Sequence, residues 1–374
     1  MKNLSHPNLL RSSLLAGIVG ITAAAHAADD APAWSYNGHL DFYYSYDFGK
    51  PPTLMGTNLR QFDVKNNQFG LAVLQVDVSR KATAKNPFGI TASFVVGKNA
   101  DIIAFNEPGG PNSTKEIQQL YVTYAVPKSS ASIDFGKFLS TMGYEGVDSS
   151  TNDNYSRSFL YTLGQMIYHT GFRGTTPIGK NLTGSLYLVN GWNEVEDSNG
   201  GLSYGASLGY NPTDKTAITA NYYGGQEGSG GVSGIGFTSP GARGINFGDL
   251  VITHQLTPKI KLALNADYTD AKGFDGSAGG HWSGIAGYVT VNLASNLNGA
   301  VRYETFSDTD GLRGTGASAR YNSFTTNLDY SLTKDALFRL ELRVDKSNLN
   351  VFNSDKAGGS DNRTTLSLSH VLKF

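Results

Sequence analysis

Apolar and polar side chains alternate with a period of two along most of the chain. From residue 34 to 48, Trp34, Tyr36, Leu40, Phe42, Tyr44, Tyr46 and Phe48 share one parity, while Ser35, Asn37, His39, Asp41, Ser45 and Asp47 share the other. Such a segment, as a strand, turns one face to hydrocarbon and the other to water, with aromatic rings gathered at both ends of the apolar face. Near the other end of the chain, Phe338, Leu340, Leu342 and Val344 alternate with Arg339, Glu341, Arg343 and Asp345. Between them lie comparable segments at 67–79, 88–97, 117–126, 131–138, 166–174, 182–189, 202–210, 216–224, 247–255, 259–268, 282–292, 297–306 and 321–330. A last one runs from Arg363 to Phe374. Alternation is least regular in 67–79, 247–255 and 282–292. The set predicts about sixteen strands, an even number that leaves both termini on one side of a closed antiparallel barrel.

Connector lengths sharpen this expectation. Short links at 127–130, 211–215, 257–258, 294–296 and 331–335 follow even-numbered segments, and long Gly/Asn/Asp/Ser-rich links at 49–66, 98–116, 139–165, 225–246, 307–320 and 347–362 follow odd ones. Outer-membrane barrels sort short periplasmic turns from long external loops in this way, whereas a soluble sandwich has no reason to. Closure also pairs every backbone group around the ring, which lets strands bearing Gly and polar residues cross lipid. The fold class expected is therefore all-β, one transmembrane antiparallel barrel over residues 28–374, with 139–165 its third external loop.

The first 27 residues read as a secretory signal. Lys2 and Arg11 precede the apolar run Leu14 to Ala24, and Ala25-His26-Ala27 supplies a small-x-small cleavage site. Leu14 to Ala24 is too short to cross a bilayer as a helix, and no later stretch is long and apolar enough. The chain has no Cys, which excludes disulfides, thiolate chemistry and Cys-ligated zinc. A formal charge of -1 without a Lys/Arg cluster gives no footprint for nucleic acid. The expected address is the outer membrane of a Gram-negative bacterium, with outer-membrane lipid as a partner.

The final segment places Leu366, Leu368, His370, Leu372 and Phe374 on one parity. A terminal aromatic strand resembles the signal by which the barrel-assembly machinery receives its clients, so Phe374 is the candidate assembly signal. The stretch IDFGKFLSTMGYEGVDSSTNDNYSRSFLY (Ile133 to Tyr161), followed by YHTGFRG, VRYETF and FRLELRVDKS, resembles the OmpL-like β-barrel porin family 2. Its most specific part is Gly136-Lys137-Phe138 to Tyr144-Glu145. The resemblance implies an outer-membrane pore for small hydrophilic solutes, names no solute, and implies no cofactor. In known porins the third external loop folds into the barrel and narrows it.

Charge on the inward parity is the candidate selectivity element, because fixed charges in a narrow aqueous passage set the local potential. Arg302 and Glu304 face inward by parity, as do Arg339, Glu341, Arg343 and Asp345, and Arg173 shares an inward face with His169. The third loop carries Glu145, Asp148, Asp153 and Arg157. Strands half a circumference apart face one another, so an inward fold would bring Glu145 and Asp148 toward the wall of Arg302 and Glu304, creating a transverse field. A mutually neutralising ladder that simply solvates the wall is the competing account. Lys137 shares the outward parity of Ile133 and Phe135 and stays outside the candidate constriction. Both accounts expect a wet lumen, which argues against passage of fatty acids.

Other functions have weaker support. His39 and Asp41 share an inward face, so a barrel hydrolase is imaginable, but a Ser-His-Asp constellation is defined by geometry rather than spacing. The mature segment has no two His at ligand spacing on one element, which leaves no metal site. Gly224 to Gly234 lacks the Gly-Lys-Ser/Thr and following helix of a phosphate loop. An energised transporter needs about twenty-two strands and a plug. An adhesive barrel that binds a partner through its loops stays open, as does homo-oligomerisation, whose interface leaves no readable mark.

Overall fold

The structure is a computed structural model and describes residues 34–51, 59–83, 85–104, 114–227, 243–273 and 279–374. The expected signal segment lies outside these residues. Sixteen strands run in chain order: β1 (Trp34–Asp47), β2 (Gln68–Arg80), β3 (Phe88–Val96), β4 (Ile117–Ala125), β5 (Ser132–Leu139) and β6 (Tyr168–Gly179). They continue as β7 (Leu182–Val189), β8 (Ser203–Thr213), β9 (Thr216–Glu227), β10 (Arg243–Thr257) and β11 (Ile260–Gly273). The last are β12 (Gly280–Ala294), β13 (Leu297–Asp308), β14 (Ala319–Ser331), β15 (Ala336–Ser347) and β16 (Asn362–Lys373). A short helix α1 (Lys98–Ile103) lies in the second external connection. Each strand pairs antiparallel with its sequence neighbours, and β1 pairs with β16 to close the barrel.

Expected and observed strands correspond one to one, with the largest differences at external ends. There β10 begins at Arg243 and β11 reaches Gly273, so the hairpins stand beyond the segments their outward apolar residues mark. Irregular alternation in β2 has a local cause: the register with β1 shifts between Asp41 and Phe42, and this bulge changes the parity of β2 partway along. Leu71 is exposed outward while Ala72 and Val73 are both buried. In β12, alternation is blurred because inward positions are apolar too, with Trp282, Ala286 and Tyr288 buried.

The outward parity is an apolar belt, exposed along the wall at Phe42, Phe135, Phe172, Leu250, Leu342 and Leu368. Most inward positions of β13 to β16 are polar and buried, among them Arg302, Glu304, Thr325, Arg339, Glu341, Arg343, Arg363 and Ser367. What buries these groups is the connection of residues 140–167 between β5 and β6, which lies inside the barrel.

A wet lumen throughout is not what the fold shows. The external half holds an apolar cluster in which Met142, Tyr144, Phe159, Leu160, Leu163 and Met166 of the third loop pack on inward side chains of the wall. Tyr187, Tyr223, Phe247, Trp282, Tyr288, Phe306 and Tyr321 supply that wall, and Leu59, Trp192, Leu312 and Phe352 reach in from other external connections. The alternation rule presumes water behind the wall, and here folded loop replaces it.

Candidate functional site

The third loop starts where two glycines face each other. Gly136 of β5 and Gly171 of β6 are register partners with φ of 136° and 152°, and a Cβ on Gly136 would lie 2.2 Å from the Leu120 carbonyl oxygen. Only glycine fits such a close strand approach at positive φ. One step further along, Phe138 points inward against Tyr121 and His169.

From there the chain crosses the lumen by donating backbone N–H groups to inward side chains. Gly143 donates to Asp249 of β10 at 3.1 Å, and Tyr144 donates to Asn265 of β11 at 3.0 Å. At the far wall Tyr155 and Ser156 both donate to Glu341 of β15, at 2.6 and 3.0 Å. Ser149 Oγ donates to Asp41 of β1 at 2.5 Å, and Asn154 meets Asn327 of β14 at 2.5 Å. On the return path the helical turn Leu160–Gly164 opens with Leu160 N donating to Glu304 at 3.2 Å. Gln165 then donates to Asn265 and Asp267 at 2.8 and 2.7 Å. Orphan donors of an irregular segment thus find buried acceptors, which a loop inside a barrel requires.

Most of the sequence-predicted site residues meet in this seam. Arg302 Nη1 lies 2.6 Å from Glu145 Oε1 and donates to the Ser156 carbonyl at 2.6 Å, while Nη2 reaches Thr325 at 3.1 Å. Glu304 lies 3.7 Å from Arg302 and 3.6 Å from Arg343. Arg339 forks onto Asp329 at 2.8 and 2.7 Å and donates to the Ser149 and Asn152 carbonyls at 3.0 and 3.1 Å. Arg343 holds Asp345 at 2.6 Å, donates to the Arg157 carbonyl at 2.5 Å and stacks on Phe159. Asp148 is half-buried beside His39, 3.3 Å away. The inward fold thus carries Glu145 to Arg302 as the sequence suggests, but the two touch instead of facing each other across a passage, and Asp148 meets His39 of β1 rather than that wall. The side chains of Arg302 and Glu304 are 0% exposed.

Arg173 stands apart from the seam. It forks onto Asp134 at 2.9 and 2.7 Å, packs against Phe138 and Tyr121, and keeps part of its surface open to the lumen. Lys137, of outward parity, is buried near the external rim with its ammonium 4.4 Å from the Tyr168 ring centre.

Several participants escaped the sequence. Arg60 of the first external connection bonds Asp345 at 2.9 Å and Thr365 at 3.0 Å and also pairs with Asp63, while Arg363 holds Asp345 at 2.8 Å. Burial disfavours the Asp63 carboxylate, but Arg60, Arg343 and Arg363 outweigh it and hold its pKa below the ordinary carboxylate value. Arg313 of the seventh connection donates to the Leu163 carbonyl and stacks on Trp192 and Trp282. One signal could have found part of this: Tyr187, Tyr223, Phe247, Trp282, Phe306 and Tyr321 put large apolar groups on the parity that should be wet.

Glu194, in the fourth external connection, introduces a pH dependence. Burial raises its pKa above the usual 4.5, although Ser198 donates to it at 2.6 Å, and Asp197 adds to the rise. A carboxyl whose folded pKa is raised penalises folding when ionised, and that penalty is relieved as pH falls through the folded value and is gone below the unfolded one. Protease resistance of residues 190–202 is therefore expected to increase from pH 7 to pH 4.5, and Glu194→Gln should abolish the increase.

Residues 34–374 match the family model described as Putative beta-barrel porin-2, OmpL-like. No curated protein sequence matches the chain. Among solved structures, the in-vitro folded trimer form of OmpT, an outer membrane protein of Vibrio cholerae, is 10% identical, with 92% of this chain and 100% of that one covered and a TM-score of 0.61. An anion-selective porin from Comamonas acidovorans is 9% identical, with 92% and 100% covered and a TM-score of 0.60. The outer membrane channel DcaP of Acinetobacter baumannii is 13% identical, with 93% and 99% covered and a TM-score of 0.59. At these identities the likeness is one of fold.

Proposed function

The chain belongs to the OmpL-like β-barrel porin-2 family of Gram-negative outer-membrane channels, and from that premise we propose that it passes small hydrophilic solutes by passive diffusion through a lumen narrowed by residues 140–167. The observation that carries this reading is the crossing of the lumen by that loop and its anchorage on the wall opposite its origin, through Arg302, Glu304, Arg339, Glu341 and Arg343. Solute would move along the wall the loop leaves uncovered. That wall is polar and partly exposed at Asp77, Thr123, Arg173 and Thr175, and a Cβ on the inward Gly209 would meet nothing within 4 Å. Arg173, paired with Asp134, is then the sequence-predicted charge that stands outside the seam and beside the path.

Hydrolysis is disfavoured by the contacts of the candidate groups. Ser149 donates to Asp41 rather than to His39, and His39 faces Asp148, so the candidate imidazole has no serine hydroxyl lined up on it. Planar-bilayer recording of the refolded chain should give stable open steps; a folded barrel that never conducts would leave the adhesive or enzymatic alternatives. Homo-oligomerisation is part of the proposal, supported by the trimer form of the Vibrio cholerae neighbour, and mass measurement in detergent tests it.

Phe374 is proposed as the assembly signal read by the barrel-assembly machinery. It also seals the seam: Gly38 N donates to the Phe374 carbonyl and Phe374 N to the Gly38 carbonyl, both at 3.0 Å, and the ring covers Gly38. Deleting Phe374 is expected to lower outer-membrane insertion. Unchanged amounts of heat-modifiable barrel in cells would contradict this.

A further inference from the structure

The short turns carry a charge that the channel reading does not use. Lys81 and Lys85 follow β2, Lys128 follows β4, Lys180 follows β6, Lys215 follows β8, Lys259 follows β10 and Lys334 follows β14. All seven are exposed. Among the described residues of these turns the acids are Asp214 and Asp335, the latter 3.9 Å from Lys334. Only the turn Ser295–Asn296 between β12 and β13 lacks a lysine. The opposite end has the reverse balance, since the described external connections hold eight Lys/Arg and twelve Asp/Glu.

Position along the barrel matters as much as sign. Each lysine sits within a few residues of the last outward apolar side chain of its hairpin: Lys81 after Val78, Lys180 after Ile178, Lys259 after Leu256, Lys334 after Leu332, Lys215 after Tyr210, Lys128 after Tyr124 and Lys85 before Phe88. Ile178, Leu256 and Leu332 are all more than half exposed on the outer surface. A strand rises about 3.3 Å per residue, and the headgroup zone of a bilayer is about 5–7 Å thick on each side. Lysine can lay its alkyl stem along the apolar edge and place its ammonium among the headgroups. Arg80 marks the same level, stacked 5.5 Å over Trp34.

We propose that the turn end of the barrel is a docking surface for anionic phospholipid headgroups, in which the ring of seven turn lysines binds lipid phosphates of the inner leaflet. The inference rests on the outer-membrane reading, which puts this end in the periplasmic leaflet. Charge complementarity selects the occupant: a polycationic rim at headgroup depth attracts anionic lipid, with each lysine contributing about fivefold in affinity. Steering of permeating anions is a poorer use of the same charges. Sixteen strands about 4.8 Å apart enclose a ring of radius about 12 Å or more, whereas fields are screened over about 8 Å at physiological salt.

The test compares lipids at the protein surface. Refolded chain in phosphatidylcholine bilayers, with trace spin-labelled phosphatidylglycerol or spin-labelled phosphatidylcholine, should immobilise phosphatidylglycerol about fivefold more strongly at a lysine-held site. Replacing all seven lysines with Gln should bring the two lipids to equality while the barrel stays heat-modifiable. If that variant does not fold, raising KCl to about 1 M should erase the preference of the parent protein, because screening then acts over about 3 Å. Equal immobilisation of both lipids by the parent would overturn the proposal, as would a preference that survives both treatments. A variant that keeps the lipid preference but loses binding to peptidoglycan sacculi would assign the rim to another anion and overturn it too. Conductance of the same preparation reports separately on the channel.

Discussion

Arg302→Ala is expected to raise single-channel conductance several-fold and make it noisy, with the barrel itself still folded. Arg302 donates to Glu145, to the Ser156 carbonyl and to Thr325 in a seam from which water is excluded. Its removal leaves Glu145 without its cation, held by Ser158 alone, and Glu304 with Arg343 as its remaining ion pair beside the Leu160 N–H, and uncompensated buried charge costs about 3–5 kcal/mol. The loop can escape that cost by leaving the wall and hydrating Glu145. Barrel strands have no such reason to part, since their backbone pairs and outward apolar residues do not involve the Arg302 side chain. Planar-bilayer recording checks the conductance, and heat-modifiable migration checks the barrel. Parent-level conductance in a folded Arg302→Ala barrel would show that the loop does not limit passage. For the same reason, replacing Arg339 and Arg343 together should release the loop rather than merely alter ion preference.

Leu342→Arg is expected to act on the barrel instead, lowering its stability by about 2–4 kcal/mol if the side chain lies at the bilayer midplane. Leu342 is central in β15 and exposed on the apolar face, paired with Thr326 and Leu366. Glu341→Gln, one residue earlier, changes the other face. Parity alone suggests a mild effect there, because a wet lumen would hydrate either side chain. The structure alters that expectation, since Glu341 is buried and accepts from Tyr155 and Ser156. Loss of charge weakens bonds of this kind by about 1 kcal/mol. Urea unfolding of the lipid-inserted barrel should register Leu342→Arg strongly and Glu341→Gln weakly, whereas channel noise should rank them in the opposite order. Equal effects on unfolding would contradict the assignment of faces.

Strand number, order and facing were legible in the sequence because each is decided locally. A strand in lipid must send Leu340, Leu342 and Val344 one way and Arg339, Glu341 and Arg343 the other, and no distant contact can change that period of two. Loop sorting was legible for a similar reason, since a hairpin turn of two residues such as 258–259 needs only its own Pro and Lys. The bulge in β2 was hidden, because an inserted residue looks like a lapse in alternation until its partner β1 is known. The state of the lumen was hidden more deeply. Arg302 and Glu145 are 157 residues apart, and whether an inward Arg solvates a pore or anchors a loop depends on what occupies the space before it. Trp282, Phe306 and Tyr321 show the same dependence: inward parity promised water, but Leu160, Leu163 and Phe159 exclude it. Sequence period fixes the direction of each side chain relative to its own strand; only closure of the ring, which sets a loop from β5 against the wall of β13 to β15, decides what that side chain meets.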